Sequence, residues 1–128
     1  QWKHEGHCAY IHGYSREYTF YFEAKEMDEH GWVVGFGDLK KLEKYLLEMY
    51  DHTMIIAEDD PELATFQELH KNGLCDLRVV PEASLESSAK SALNKANEIL
   101  LEMTKDRARC FKVEARENDK NSAIYTLE

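Results

Sequence analysis

Two prolines and three cysteines are all that this 128-residue chain has of either. Pro61 and Pro81 make no proline-rich linker, and no low-complexity stretch or internal repeat marks a boundary, so residues 1–128 read as one domain. Cys8, Cys75 and Cys110 are too few and too scattered for a disulfide framework, the pattern expected of a reducing, cytoplasmic compartment. No apolar run approaches the ~18–20 residues of a membrane span, and no segment reads as a signal peptide, so no membrane partner is expected. Positive charge is in deficit as well. Sixteen Lys and Arg face 25 Asp and Glu, for a net charge of −9. That balance argues against a nucleic-acid partner, because phosphates are bound by cations. An initiating Met is lacking too: the chain begins at Gln1, and a strand upstream of it is expected to be missing. The remainder is ordinary globular material, 43% hydrophobic and 32% charged, able to build a core without staples.

Residues 17–24 are aromatic and β-favouring and predict a strand with apolar groups on both faces, to be covered by helices or by another subunit. Asp28–Gly31 reads as a turn, and Trp32-Val33-Val34 as the start of a second strand broken by Gly35 and Gly37. Leu39, Leu42, Leu46 and Met49 recur on one helical face and predict a helix over 38–50 capped by Asp38. Residues 54–57 are a short apolar run. Pro61 opens a helix that Gly73 stops, and residues 77–80 form a short strand ended by Pro81. Ser84 caps a long helix to about Thr104, with Leu85, Ala89, Ala92, Ala96, Ile99 and Met103 on its apolar face. Strands over 109–117 and 122–127 are joined by a turn at 118–121. Hairpins at both ends with helices between predict an α+β fold with an antiparallel sheet.

Three constellations could carry chemistry. His4, His7, Cys8, His12 and Tyr14 crowd three of the six histidines and a cysteine into one short stretch. In an extended chain Cys8, Tyr10, His12 and Tyr14 would share a face. Imidazole and thiolate suit zinc, and a frayed His-rich terminus is the alternative. Asp51-His52 follows the first helix. The carboxylate could orient the imidazole for acid–base work, or the imidazole could simply bond the last helix carbonyls. Glu117 ends a strand face carrying Phe111, Val113 and Ala115. There it could bind a ligand with two adjacent N–H donors, or reach water. Cys75 and Cys110 read as core thiols. Lys105, Arg107, Arg109, Lys112 and Arg116 read as a solvated face able to hold a phosphate tail.

Five segments together resemble one family. Cys8-Ala-Tyr-Ile-His12-Gly13-Tyr14 is similar to the Cys…His-Gly-His segment of the 6-pyruvoyltetrahydropterin and 6-carboxytetrahydropterin synthases, with Tyr14 where the second histidine stands. Residues 31–40 resemble its Gly-Met-Val-x-Asp-Phe-x-x-Leu-Lys segment, with Gly35 at the Asp position. Asp51-His52 resembles its Asp-His pair, residues 81–89 its Pro-Thr-x-Glu-Asn-x-Ala segment, and Glu117 with Tyr125 its Glu-Thr…Tyr ending.

The resemblance implies a T-fold: an antiparallel sheet with helices on one face, its subunits joined edge to edge into a barrel as a homotrimer or homohexamer. It implies a lyase that acts on 7,8-dihydroneopterin triphosphate with a histidine-bound Zn2+, yielding a 6-carboxy- or 6-pyruvoyltetrahydropterin in queuosine or pterin biosynthesis. On that basis Cys8 is the proton-transfer thiol, Asp51 and His52 assist it, Glu117 anchors the pterin, and His12 ligates zinc. His7 or His4 could supply a replacement nitrogen, although no motif of the family marks either. The competing expectation is a pterin- or purine-binding T-fold protein that has lost its metal and turnover.

Overall fold

Ser84 sets where the longest helix begins. Its Oγ accepts a hydrogen bond from the Ser87 N–H at 3.1 Å, satisfying one of the free donors of the first turn of α3 (Leu85–Thr104). The stripe Ala89, Ala92, Leu93, Ala96, Ile99 and Leu100 is buried. Its three alanines let the helix lie close on the sheet strand β4 (Ala108–Glu117), which supplies Cys110, Val113 and Ala115 to the same core. In this computed structural model residues 2–118 and 120–127 are described, and the side chain of Cys8 lies outside the description, as does Asp119 of the predicted 118–121 turn.

The sheet has three antiparallel strands in the order β1 (Arg16–Ala24), β4, β5 (Asn121–Thr126). Helix α1 (Lys40–Tyr50) packs beside α3 and adds Leu42 to the core. Between α1 and α3 a smaller unit intervenes: strands β2 (Met54–Ala57) and β3 (Leu77–Val80) pair in parallel, joined by α2 (Leu63–Lys71). Among the described residues no helix is long and apolar enough to cross a membrane.

Several expectations change. Strand β1 alternates rather than being apolar on both faces. Tyr18, Phe20 and Phe22 pack on the core, while Glu17, Thr19, Tyr21 and Glu23 are exposed. Trp32-Val33-Val34 forms no strand, so the N-terminal hairpin is absent and β1 pairs with β4 instead. Of that segment's carbonyls, Val33 O accepts from the Arg107 guanidinium at 2.7 Å and Trp32 O from the Asp28 N–H at 2.9 Å; the same guanidinium donates to Glu26 O at 2.6 Å. Asp38 does not cap α1. It lies in a 3₁₀ turn (Phe36–Leu39) that leads into the helix. The register of β1 on β4 slips at a bulge between Tyr21 and Phe22, leaving Phe111 as the extra residue. Cys110 and Ala108 therefore face the core on one side of the bulge and Val113 and Ala115 on the other. Phe111 is turned to the outer face, where its ring meets that of Tyr21.

Candidate functional site

The pattern that buries Tyr18, Phe20 and Phe22 also puts Arg16 on the inner side of β1, at its first residue. Arg16 is the register partner of Glu117, the last residue of β4, so the two side chains leave the sheet together on one face. They make no ion pair with each other. The Arg16 guanidinium instead lies between two phenol rings, 4.7 Å from the centre of Tyr14 and 5.4 Å from that of Tyr50. Tyr50 in turn stacks on Tyr18 at 5.4 Å. Burial pushes the Tyr50 phenol up, with Tyr18 adding to the effect. Burial also raises Tyr14, with Arg16 opposing and Tyr18 and Glu117 reinforcing. Both phenols are protonated at neutral pH.

Three open clefts share Arg16, and two of them carry residues expected in the site. One, of about 580 Å³, is lined by His12, Tyr14, Arg16, Tyr50, Asp51 and His52. The other, of about 600 Å³, shares His12, Tyr14 and Arg16 and continues to Ser84, Glu117 and Lys120. The expected substrate anchor and the expected acid–base pair therefore border adjoining clefts with a common wall. Glu117 is half-buried at the strand end, between the two outcomes its sequence position allowed.

Asp51 and His52 form the pair read from the sequence. Asp51 Oδ1 is 2.9 Å from His52 Nδ1. The alternative role at the helix end is taken by others: the Asp51 N–H donates to Leu47 O, and Thr53 Oγ1 donates to Met49 O. His52 sits at φ 58°, a left-handed conformation uncommon outside glycine. Its side chain is 94% exposed, so the Nε2 edge is open to a ligand or solvent.

The N-terminal cluster is not extended. Residues His7–Ala9 form a 3₁₀ turn, which breaks the shared parity expected of Cys8, Tyr10, His12 and Tyr14. His12 Nδ1 lies 2.6 Å from the Tyr10 carbonyl oxygen. A carbonyl can only accept, so Nδ1 is the donor of this bond, and the His12 side chain lines both clefts. His7 is exposed in the turn. The expected role of Cys8 falls on a side chain outside the described residues.

A zinc ion held by histidines needs three donors converging at about 2 Å. Among the described residues no group of three His, Cys, Asp or Glu side chains is so placed. Tyr14, at the position of the second histidine, is a protonated phenol and a poor ligand. The residues do not fit a three-histidine zinc set. Three members of the basic run are engaged within the protein: Arg107 ties down the 26–33 loop, Arg109 pairs with Glu23, and Arg116 with Glu114.

The residues that sequence reasoning passed over are Arg16, Tyr18 and Tyr50. For Arg16 and Tyr18 the signal was parity. Position 16 falls in step with Tyr18, Phe20 and Phe22, so a charged residue stood in line with a core face.

The α+β fold, with its antiparallel sheet and helices on one face, and the row of five short motifs define a tetrahydropterin-synthase-like protein. The chain belongs to the 6-pyruvoyl tetrahydropterin synthase family, which matches across residues 1–128. Over 68 residues it is 37% identical to the 6-carboxy-5,6,7,8-tetrahydropterin synthase of Rickettsia bellii, a stretch covering 52% of this chain and 49% of that protein. The enzyme of the same name from Rickettsia conorii is 32% identical over 62 residues, 48% of this chain and 45% of its own. The chain spans about half the length of the curated relatives it matches. A crystal structure of an uncharacterized protein from Wolinella succinogenes superposes with a TM-score of 0.83, over 99% of this chain and 90% of that one, at 20% identity. At that identity the likeness is one of fold.

Proposed function

We propose that the chain is a lyase of the 6-carboxytetrahydropterin synthase type, acting on 7,8-dihydroneopterin triphosphate in queuosine or pterin biosynthesis. The observation that carries this reading is the meeting of two clefts at Arg16, one bordered by Asp51 and His52 and the other by Glu117. A pterin ring presents two adjacent N–H donors, which match the two acceptor oxygens of Glu117. Its side chain then lies toward the acid–base pair. In this reading Cys8 carries the proton as a thiolate, and His52, oriented by Asp51, sets its path. The two nitrogens that the sequence offers a zinc ion are His12 and His7. The described residues add no third, so no step is routed through a metal. The reading includes a cytoplasmic homotrimer or homohexamer with no nucleic-acid and no membrane partner.

A second reading has a specific observation behind it. Tyr14 replaces a metal-binding histidine, as it would in a pterin- or purine-binding protein without turnover.

The test of the pterin site is a pair of substitutions. Glu117→Gln keeps the shape of the side chain and removes its charge, with an expected loss of about 1.5–3 kcal/mol in pterin affinity, roughly tenfold or more. Glu114→Gln, on the outer face and already paired with Arg116, should bind as wild type. Equal affinities for the two variants, by calorimetric titration with a dihydropterin, would remove Glu117 from the site.

A further inference from the structure

Arg16 is a cation without an anion. It forms no ion pair among the described residues, although Glu117 stands opposite it in the ladder. Its Nε is buried and has no hydrogen-bond partner. The hydroxyl of Tyr18, two residues along the same face, interacts with the Arg16 and Tyr50 side chains but makes no hydrogen bond of full geometry. A buried donor is nearly always satisfied, so Arg16 Nε beside an open cleft points to a missing acceptor. The rings of Tyr14 and Tyr50 hold the guanidinium flat without using any of its five N–H groups. The charged groups around it are Asp51 at the end of α1, Glu82, Glu86 and Lys90 at the start of α3, and Glu117 and Lys120 at the β4–β5 end. None of the carboxylates reaches it.

We propose that Arg16 is an oxyanion receptor within this site, and that it takes the charged substituent carried by the pterin ring, a carboxylate or a phosphoryl group, without a metal. The inference rests on the reading of Glu117 as the pterin anchor. Glu117 and Arg16 are direct cross-strand partners, about 5 Å apart at their Cβ atoms, and both have long side chains. One can hold the N–H edge of a bicyclic ring while the other reaches the substituent on its opposite edge. The guanidinium would thus supply the fixed positive charge that the described His, Cys, Asp and Glu side chains do not gather for a zinc ion. A planar fork suits carboxylate and phosphoryl oxygens alike.

The experiment compares pterin-6-carboxylate with unsubstituted pterin by calorimetry, in wild type, Arg16→Met, Arg16→Lys and Glu117→Gln, each with and without EDTA. Wild type should prefer the carboxylate by roughly tenfold, with or without EDTA. Arg16→Met should lose that preference and still bind unsubstituted pterin. Where Arg16→Met does not fold, Arg16→Lys carries the test, because its ammonium lacks the fork and the preference should fall several-fold. Competition by inorganic triphosphate assigns the receptor to phosphoryl oxygens, and its absence assigns it to the carboxylate. A preference that survives in Arg16→Met, stays undiminished in Arg16→Lys, or disappears with EDTA overturns the inference. If Glu117→Gln leaves unsubstituted pterin binding unchanged, it is the pterin reading that fails. Inorganic triphosphate then decides Arg16 alone: weaker binding to Arg16→Met upholds the receptor, and equal binding overturns it.

Discussion

At the scale of single residues, the proposed site divides into groups that hold and groups that move protons. In that proposal Glu117 and Arg16 hold, because each presents charge on the inner sheet face, and Cys8 and His52 belong to the second kind. A thiol assigned to proton transfer acts in the transition state and adds little to ground-state binding. Cys8→Ala is therefore expected to abolish single-turnover product formation while leaving substrate titration close to wild type, and His52→Ala to do the same less completely. Wild-type turnover in Cys8→Ala would show the thiol to be dispensable. Asp51-His52 was legible because adjacent residues need no fold to meet, and its geometry adds only that the helix end leaves the imidazole free. Arg16 was legible in principle, as the charged member of an otherwise aromatic face. Its stacking on Tyr50 was not, since the two lie on different elements and no spacing links them.

At the scale of elements, the bulge in β4 decides which residues face the helices. Asn97 of α3 stands beside it. Its side-chain nitrogen donates to Cys110 O at 2.9 Å and its oxygen accepts from the Cys110 N–H at 2.8 Å. One amide thus binds both backbone groups of a wholly buried residue, next to the residue that the β1 ladder skips. Asn97→Ala would strand both groups, an expected loss of about 2–4 kcal/mol, read as a lower denaturation midpoint with an unchanged slope. A midpoint equal to wild type would mean that water or a shifted strand replaces the amide. Strict alternation along 111–117 predicted Phe111 inside, and it failed because a single extra residue inverts parity. It held from Val113 onward, which is why Glu117 was placed correctly. The capped start of α3 was readable for the opposite reason: Ser84 acts within one turn. The missing strand at 32–34 had local β propensity, but Arg107, more than seventy residues away, takes the Val33 carbonyl and the Asp28 turn takes that of Trp32.

At the scale of the whole molecule, the three-stranded sheet ends in two edges, β1 and β5, that are unpaired among the described residues. Open edges recruit other strands unless they are blunted or closed. Its outer face carries Tyr21 and Phe111 among charged side chains, and Phe36 stands 90% exposed beside α1. These features support the proposed closure of the sheet by further copies of the chain. Light scattering at micromolar concentration is expected to give a mass that is a multiple of three chains, and a stable mass of 14.9 kDa would contradict it. The order of short motifs along the sequence points to the family without any coordinates, because each motif is local. What the sequence could not display is how the clefts join at Arg16, which depends on the β1–β4 register and on where α1 ends. The central claim is that this junction converts a pterin triphosphate. Its most direct test is single-turnover incubation of the purified chain with 7,8-dihydroneopterin triphosphate, followed by mass analysis of the products. Release of triphosphate with a 6-substituted tetrahydropterin is the expected result. Substrate that is bound and recovered unchanged would contradict a lyase and leave a binding protein.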